Sequence, residues 1–223
     1  MEELGTRKKA NSYTKQSIIF FVLGFVFFFG VLVHLAFLVL AIIFVIIGFC
    51  LLGKQTTWNI GAEGEESVIR ALQNLNSSFK VVNDVVLPGD NQNIDHVVVG
   101  PPGTFVIETK NHNGNIRCYE DEWTRNKIGR RGTRYSAYIG NPSKQAKRNA
   151  IVLRNWLQSQ NIDVGYVGAV VVFSNEDVSL KVIKPTVKVV YVDNLLEVFN
   201  GGSNYGMGAE KVNSIAEKLY QLK

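Results

Sequence analysis

NIDHVVVGPPGTFVIETKN, residues 93–111, decides the fold of this chain. Two apolar runs flank the turn-forming residues GPPG, which is the pattern of a β-hairpin. If Gly100 faces Gly103 across the turn, Asp95 faces Glu108 directly. Two carboxylates opposite each other repel, so this pair destabilises the sheet unless a cation lies between them. The hairpin therefore predicts a cation site.

Lys110 adds a third charge to the same face, because it follows Glu108 by two residues. The ligands on offer are oxygen atoms, with no cluster of cysteine or histidine nearby, and such ligands suit Mg²⁺ or Mn²⁺ rather than zinc. A solvated polar face of an edge hairpin would also carry alternating charges. That interpretation stays open on the hairpin alone.

The rest of the polar part of the chain alternates helices with strands. An amphipathic helix is predicted around residues 65–75 and a second from Asn141 to about Gln160, with Asn141 as its cap. Strands are predicted at 79–87, 93–100, 104–110, 165–174 and 186–192, and a last helix at 208–222. This order predicts an α/β fold with a mixed central sheet flanked by helices.

Two helical positions carry polar side chains above apolar stripes. Glu65 stands three residues before Val68 and seven before Leu72, so it shares their sheet-facing stripe. Gln145 has the same relation to the apolar stripe of the second helix, although a surface position explains it equally well. Both residues are candidates for the site around the hairpin.

Residues 17–53 contain no Asp, Glu, Lys or Arg, which is typical of a membrane segment. One helix of this length would run about 55 Å, nearly twice the roughly 30 Å of bilayer hydrocarbon. Two transmembrane helices that turn between Gly30 and Ala36 fit better, and one long tilted helix is the alternative. We therefore expect a helical hairpin that attaches the chain to a lipid bilayer.

Cationic residues flank the apolar segment on both sides, with Lys15 before it and Lys54 after it. The positive-inside rule places both ends in the cytoplasm, so the chain is expected to be a multi-pass protein of the cell membrane. Three parts follow: a basic N-terminus at 1–16, the two helices at 17–53, and a cytoplasmic domain at 54–223.

The stretch from Arg117 to Arg154 carries ten basic residues against three acids, as a phosphate-binding surface would. A solvated basic loop near an anionic membrane is the competing interpretation. The candidate nucleic-acid-binding residues are Arg125, Lys127, Arg130, Arg131, Arg134, Lys144, Lys147 and Arg148.

The segments GAEGEESVIRAL, NIDHVVVGPPGTFVIETKNHNGNI and NPSKQAKRNAIVL together resemble the nuclease-related domain (NERD) family over roughly residues 58–160. That family belongs to the restriction-endonuclease-like PD-(D/E)xK nucleases. The resemblance implies that Asp95 is the metal-binding aspartate and that Glu108 and Lys110 form the ExK pair. It also implies a helix glutamate at Glu65 and a glutamine at Gln145. The carbonyl of Thr109, between the ExK residues, is then a candidate metal ligand beside Asp95 and Glu108.

These residue types suit phosphodiester hydrolysis, which needs a nucleophilic water, a Lewis acid and compensation of developing charge. Asp95 and Glu108 would hold Mg²⁺ or Mn²⁺, and Lys110 would orient the water. Glu65 would hold a water or a second ion, and Gln145 would orient the site or the substrate. The sequence therefore predicts a membrane-anchored, metal-dependent nuclease, with DNA rather than RNA as the expected substrate. A catalytically silent, membrane-tethered module that binds nucleic acid or protein is the alternative.

Overall fold

A computed structural model describes residues 5–30, 35–129, 132–200 and 206–222. The described helices are α1 (Gly5–Gly30), α2 (Leu35–Leu72), α3 (Pro142–Ser159), the 3₁₀ helix Val192–Phe199 and α4 (Ala209–Tyr220). The described strands are β1 (Lys80–Val86), β2 (Asn93–Gly100), β3 (Gly103–Lys110), β4 (Gly114–Tyr119), β5 (Glu122–Ile128), β6 (Arg134–Ala137), β7 (Val167–Phe173), β8 (Val178–Ile183) and β9 (Lys188–Tyr191). The chain divides into two compact units between Glu63 and Gly64.

The first unit contains the apolar segment as two helices in contact. The rings of Phe27 and Phe44 stack with centroids 5.4 Å apart, and Phe21 meets Phe49 edge-on at 5.5 Å. Gly48 lies against the ring of Phe21, so a Cβ at that position would come within 2.9 Å of it. Of the described helices, one is long and apolar enough to cross a membrane, over Leu38–Leu72.

The second unit is a mixed α/β domain in which the predicted hairpin has the expected register. Gly100 pairs with Gly103 and His96 with Ile107, in antiparallel β2 and β3. These strands belong to a five-stranded sheet, sheet A, with the order β1-β2-β3-β7-β9. The strands β3, β7 and β9 run parallel, which makes the sheet mixed as predicted.

A second sheet was missed at the sequence level. Sheet B has four strands in the order β6-β5-β4-β8, and β4 and β8 are parallel although about 60 residues separate them. The expectation of one sheet is therefore wrong, and the described part of the basic stretch Arg117–Arg154 contributes to β4, β5, β6 and α3. Polar, non-alternating strands such as β5 lack the apolar run on which strand prediction depends.

Sheet A has an apolar layer on each face. On one side, α3 and α4 pack through Leu153 and Ile215 against residues such as Val97 and Val106. On the other side, Val68 of α2 packs with the 3₁₀ helix against residues that include Ile107. Because β-strand side chains alternate, Glu108 points to the same side as Val106, where α3 lies.

Candidate active site

Asp95 lies where the pairing of β2 is interrupted on both sides. The β1–β2 ladder skips the position between the Asn83–His96 and Val85–Ile94 pairs. The β2–β3 ladder ends at the His96–Ile107 pair, so it does not include Asp95. Instead, the backbone N–H of Thr109 donates to Asp95 Oδ2 at 2.8 Å. This bond fixes the carboxylate at the open end of the hairpin, next to Glu108.

Glu108, Lys110 and Gln145 form a hydrogen-bonded chain from β3 to α3. The Lys110 ammonium donates to Glu108 Oε1 at 2.6 Å and to Gln145 Oε1 at 3.2 Å. Glu108 is only 2 % exposed, whereas the lysine side chain keeps 19 % of its surface. Gln145 reaches the site because Asn141 caps α3 by accepting from the backbone N–H of Lys144, which starts the helix beside β3. The structure thus brings three of the predicted residues into direct contact.

The electrostatics of the two carboxylates are unfavourable without a cation. Burial, followed by the nearby charge of Asp95, raises the pKa of Glu108 to about 8 despite the lowering effect of Lys110. Burial also raises the pKa of Asp95, while the Thr109 N–H and Lys110 lower it and Asp84 raises it. The pair therefore tends to hold a proton at neutral pH when nothing positive is bound.

The donor set fits a hard divalent cation. Glu108 Oε2 is buried and has no hydrogen-bond partner among the described residues, which leaves an oxygen aimed into the site. The described ranges contain no group of three or more His, Cys, Asp or Glu side chains that could hold a metal by themselves. Mg²⁺ commonly binds one or two carboxylates and keeps several waters, so Asp95 and Glu108 suit it. The Thr109 carbonyl as a third ligand stays a prediction.

His96 lies on the opposite face of the hairpin and serves packing. Its buried ring contacts Asn83 Oδ1 through Nδ1 at 2.9 Å and Thr109 Oγ1 through Nε2 at 3.1 Å. An amide oxygen only accepts, so Nδ1 carries the proton and Nε2 accepts from the threonine hydroxyl. Burial lowers the pKa of His96 to about 3, and the ring is neutral.

Glu65 is buried on the predicted stripe of α2, with Val68 and Leu72. That stripe packs on the face of sheet A that carries Ile107, whereas Glu108 points to the other face. The two carboxylates still influence each other, because the charge of Glu65 is the last contribution to the raised pKa of Glu108. Glu65 therefore lies within electrostatic reach of the site.

Two residues near the site were missed at the sequence level. Gly64 lies so close to the ends of β3 and β7 that a Cβ there would come within 2.6 Å of Asn111 Cβ and 2.8 Å of Ser174 Oγ. Asp84 occupies the skipped position opposite Asp95 with φ 55°, a left-handed conformation that aspartate tolerates better than most residues. The signal for Gly64 was a glycine inside a helical pattern, which usually has a packing reason.

Three predicted nucleic-acid-binding residues make contacts within the domain. Arg125 is 8 % exposed and donates to the carbonyl and side-chain oxygens of Asn113, each at 2.9 Å. Lys147 pairs with Asp121, and Arg148 Nη2 contacts both oxygens of Asp90 at 2.6 and 2.8 Å. These cations hold elements together rather than presenting a free charge to solvent.

Lys127 is partly buried, and Arg134 and Lys144 are exposed. Arg130 and Arg131 lie outside the described residues. The basic surface is therefore smaller than the sequence indicated, and its described exposed members lie on β6 and at the start of α3.

The comparisons with known proteins concern the same region. The family model described as "Nuclease-related domain" (NERD) matches residues 60–174, just over half of the chain, and the matched range includes every candidate catalytic residue. An uncharacterized protein of Bacillus anthracis is 40 % identical over 70 residues, which cover 29 % of this chain and 33 % of the relative. The chain thus aligns with about a third of that relative's length. A search of solved structures gives no significant match.

Proposed function

The chain belongs to the nuclease-related domain family, and from that premise we propose that it is a metal-dependent nuclease held at a membrane by its N-terminal helices. The observation that carries the proposal is the hydrogen-bonded chain of Glu108, Lys110 and Gln145 beside Asp95. At its centre lies Glu108 Oε2, a buried carboxylate oxygen that has no hydrogen-bond partner within the described part of the chain. A domain that only binds would gain nothing from keeping this costly arrangement. The arrangement also suits the wider PD-(D/E)xK group of nucleases.

Each side chain has a role that its position supports. Asp95 and Glu108 would hold Mg²⁺ or Mn²⁺, with the Thr109 carbonyl as a further ligand. The bound ion supplies a Lewis acid for the phosphodiester and for the attacking water. Lys110 lies 2.6 Å from Glu108 and donates from the same face, so it is placed to orient that water and to offset charge on the phosphate. Gln145 holds the lysine ammonium in this position.

The membrane part of the proposal is supported by the exposed apolar surface of the first unit. Phe25 and Phe49 are each 64 % exposed, and further apolar residues of the same helices, such as Val26 and Ile46, are exposed as well. Such a surface suits lipid rather than water. From the cations on both flanks we propose that the protein crosses the membrane more than once and that its nuclease domain lies in the cytoplasm.

The test uses the full chain, purified in a mild detergent, with labelled single-stranded DNA, double-stranded DNA and RNA. Wild type is expected to cut DNA with Mg²⁺ or Mn²⁺ and to stop when EDTA is added. Asp95→Ala and Lys110→Ala should each reduce the rate by on the order of a hundredfold or more. Lys211→Ala, at an exposed lysine of α4, is the matched control and should cut normally.

The following results would contradict parts of the proposal. Cleavage that survives EDTA, or that both site variants retain, would come from a contaminant or another site. Binding of nucleic acid without cutting under any metal would favour the catalytically silent module instead. Membrane attachment is tested separately by alkaline carbonate extraction of cell membranes, and release of the full chain into the supernatant would contradict it.

A further inference from the structure

Sheet B has one face that no other described element of the second unit covers. On β4 the exposed residues are Asn115, Arg117 and Tyr119, which alternate with the buried Ile116 and Cys118. Their register partners are exposed as well, namely Asn126, Thr124 and Glu122 on β5 and Ser179, Lys181 and Ile183 on β8. The same face continues through the exposed Ile128 on β5 and through Ser136 and Arg134 on β6, which pair with Asn126 and Ile128. We call these residues the open face. It is a four-stranded surface, about 14 Å wide at the usual strand spacing.

The open face carries like charges in neighbouring positions. Arg117 and Lys181 are register partners on β4 and β8, and both are exposed. Neither side chain has an ion pair or hydrogen bond with any residue that the structure describes. Like charges placed directly opposite each other destabilise a sheet, just as the two carboxylates of the hairpin do. An anion bound between them would remove that cost.

The remaining chemistry of the face suits a chain of phosphates. Arg134, on β6, adds a third cation, while the single acid among the described residues of the face is Glu122, at the end of β5 that is paired with Tyr119. A row of small hydrogen-bonding side chains crosses all four strands, formed by Ser136, Asn126, Asn115 and Ser179. Hydroxyl and amide side chains are common partners of phosphate and sugar oxygens.

From this charge complementarity we propose that the open face of sheet B binds the nucleic-acid backbone of the substrate beside the cleavage site. The inference rests on the proposed function, since it assigns that function's substrate a second binding surface. Arg117 and Lys181 contact phosphates, and the polar row guides the strand. Tyr119, 52 % exposed, offers a ring on which a base of single-stranded nucleic acid stacks.

The chain connection keeps this face near the catalytic residues. Asn115 follows Lys110 by five residues, so their Cα atoms lie at most about 18 Å apart even if the segment were fully extended. Arg125 bonds to Asn113 at 2.9 Å and ties the intervening segment to β5. At least one residue of the open face, Asn115, therefore lies within about 18 Å of the backbone of Lys110.

The experiment measures binding without cleavage. The full chain in detergent is titrated into a fluorescein-labelled single-stranded DNA oligonucleotide in EDTA, at several salt concentrations, by fluorescence anisotropy. The variant is Arg117→Gln with Lys181→Gln. The matched control is Arg154→Gln with Lys211→Gln, which removes the same charges from exposed positions on α3 and α4. Losing two phosphate contacts should make the slope of log K against log salt shallower by about 1.4.

Each outcome has one meaning. A shallower slope and weaker binding in the variant, with wild-type behaviour in the control, supports the open face. Equal slopes in variant and control overturn it, because the lost charge then acts only through the overall field. Absence of binding by the wild type overturns it too. None of these results touches Asp95 or Lys110, so the metal-dependent cleavage test judges the proposed nuclease activity independently.

Discussion

Replacing Glu108 by glutamine should stabilise the metal-free protein while abolishing metal binding. Burial and neighbouring carboxylates raise the pKa of Glu108 from 4.5 to about 8. At pH 7 the Glu108 carboxyl is ionised in the unfolded chain and protonated in the folded chain. At about 1.4 kcal/mol per pKa unit, this proton uptake on folding costs roughly 3 kcal/mol. Glutamine avoids this cost and keeps an oxygen that accepts from Lys110. The expected gain is therefore up to roughly 3 kcal/mol at neutral pH.

The sign of the pH dependence follows from the direction of the pKa shift. Between pH 4.5 and about 8 the folded chain binds more protons at Glu108 than the unfolded chain does. The stability of wild type should therefore fall as pH rises through this window, relative to Glu108→Gln. Below it, where both states are protonated, the two proteins should differ little.

Chemical denaturation in EDTA measures this difference. Tryptophan fluorescence is a suitable signal, since Trp123 stacks on Phe173 at 5.8 Å and bonds to Ser143 at 2.9 Å in the folded domain. Glu217→Gln, at an exposed glutamate of α4, is the control and should change nothing. Added Mg²⁺ should then stabilise wild type and not Glu108→Gln. A variant that is less stable than wild type at neutral pH in EDTA would refute the reasoning.

Two further changes test the packing around the site. In Gly64→Ala the new Cβ would lie 2.6 Å from the Cβ of Asn111, so we expect a loss of about 1–3 kcal/mol by denaturation and slower cleavage. Gly61→Ala, where the Cβ meets nothing within 4 Å, is the control, and an equal effect in both would contradict the close approach. In Arg148→Gln, Asp90 loses the guanidinium that lowers its pKa. Above pH 3.8 the free energy of unfolding of this variant should therefore be lower than that of wild type. Denaturation at several pH values should show this deficit vanish as the pH drops below that value, and a constant deficit would point to lost packing instead.

Much of the sheet A half of the domain could be predicted, because its signals are local. The five strands of sheet A and the helices α3 and α4 agree with the predicted segments to within a few residues. A strand is indicated by its own apolar run, and a helix start by a capping asparagine followed by a proline. Each of these signals spans only a few residues. Sheet B escaped prediction because β5 lacks an apolar run, and because the parallel partner of β4 is distant in sequence.

The candidate site divides in the same way. GPPG fixed which residues of the hairpin face each other, and the two-residue period put Lys110 on the side of Glu108. Whether Gln145 would meet that lysine depended on how α3 packs across sheet A, which no local pattern states. The closeness of Gly64 to the ends of β3 and β7 is likewise a property of packed elements.

The sequence by itself determined the hairpin register, the face that carries Asp95, Glu108 and Lys110, and the apolar character of residues 17–53, because these depend on backbone periodicity and composition. Only the tertiary structure decided which charges are available. It pairs Arg148 with Asp90 and leaves Arg117 open to solvent. The physical reason is that a charge is satisfied by whatever group folding brings within hydrogen-bonding distance, and that group usually lies far away along the chain.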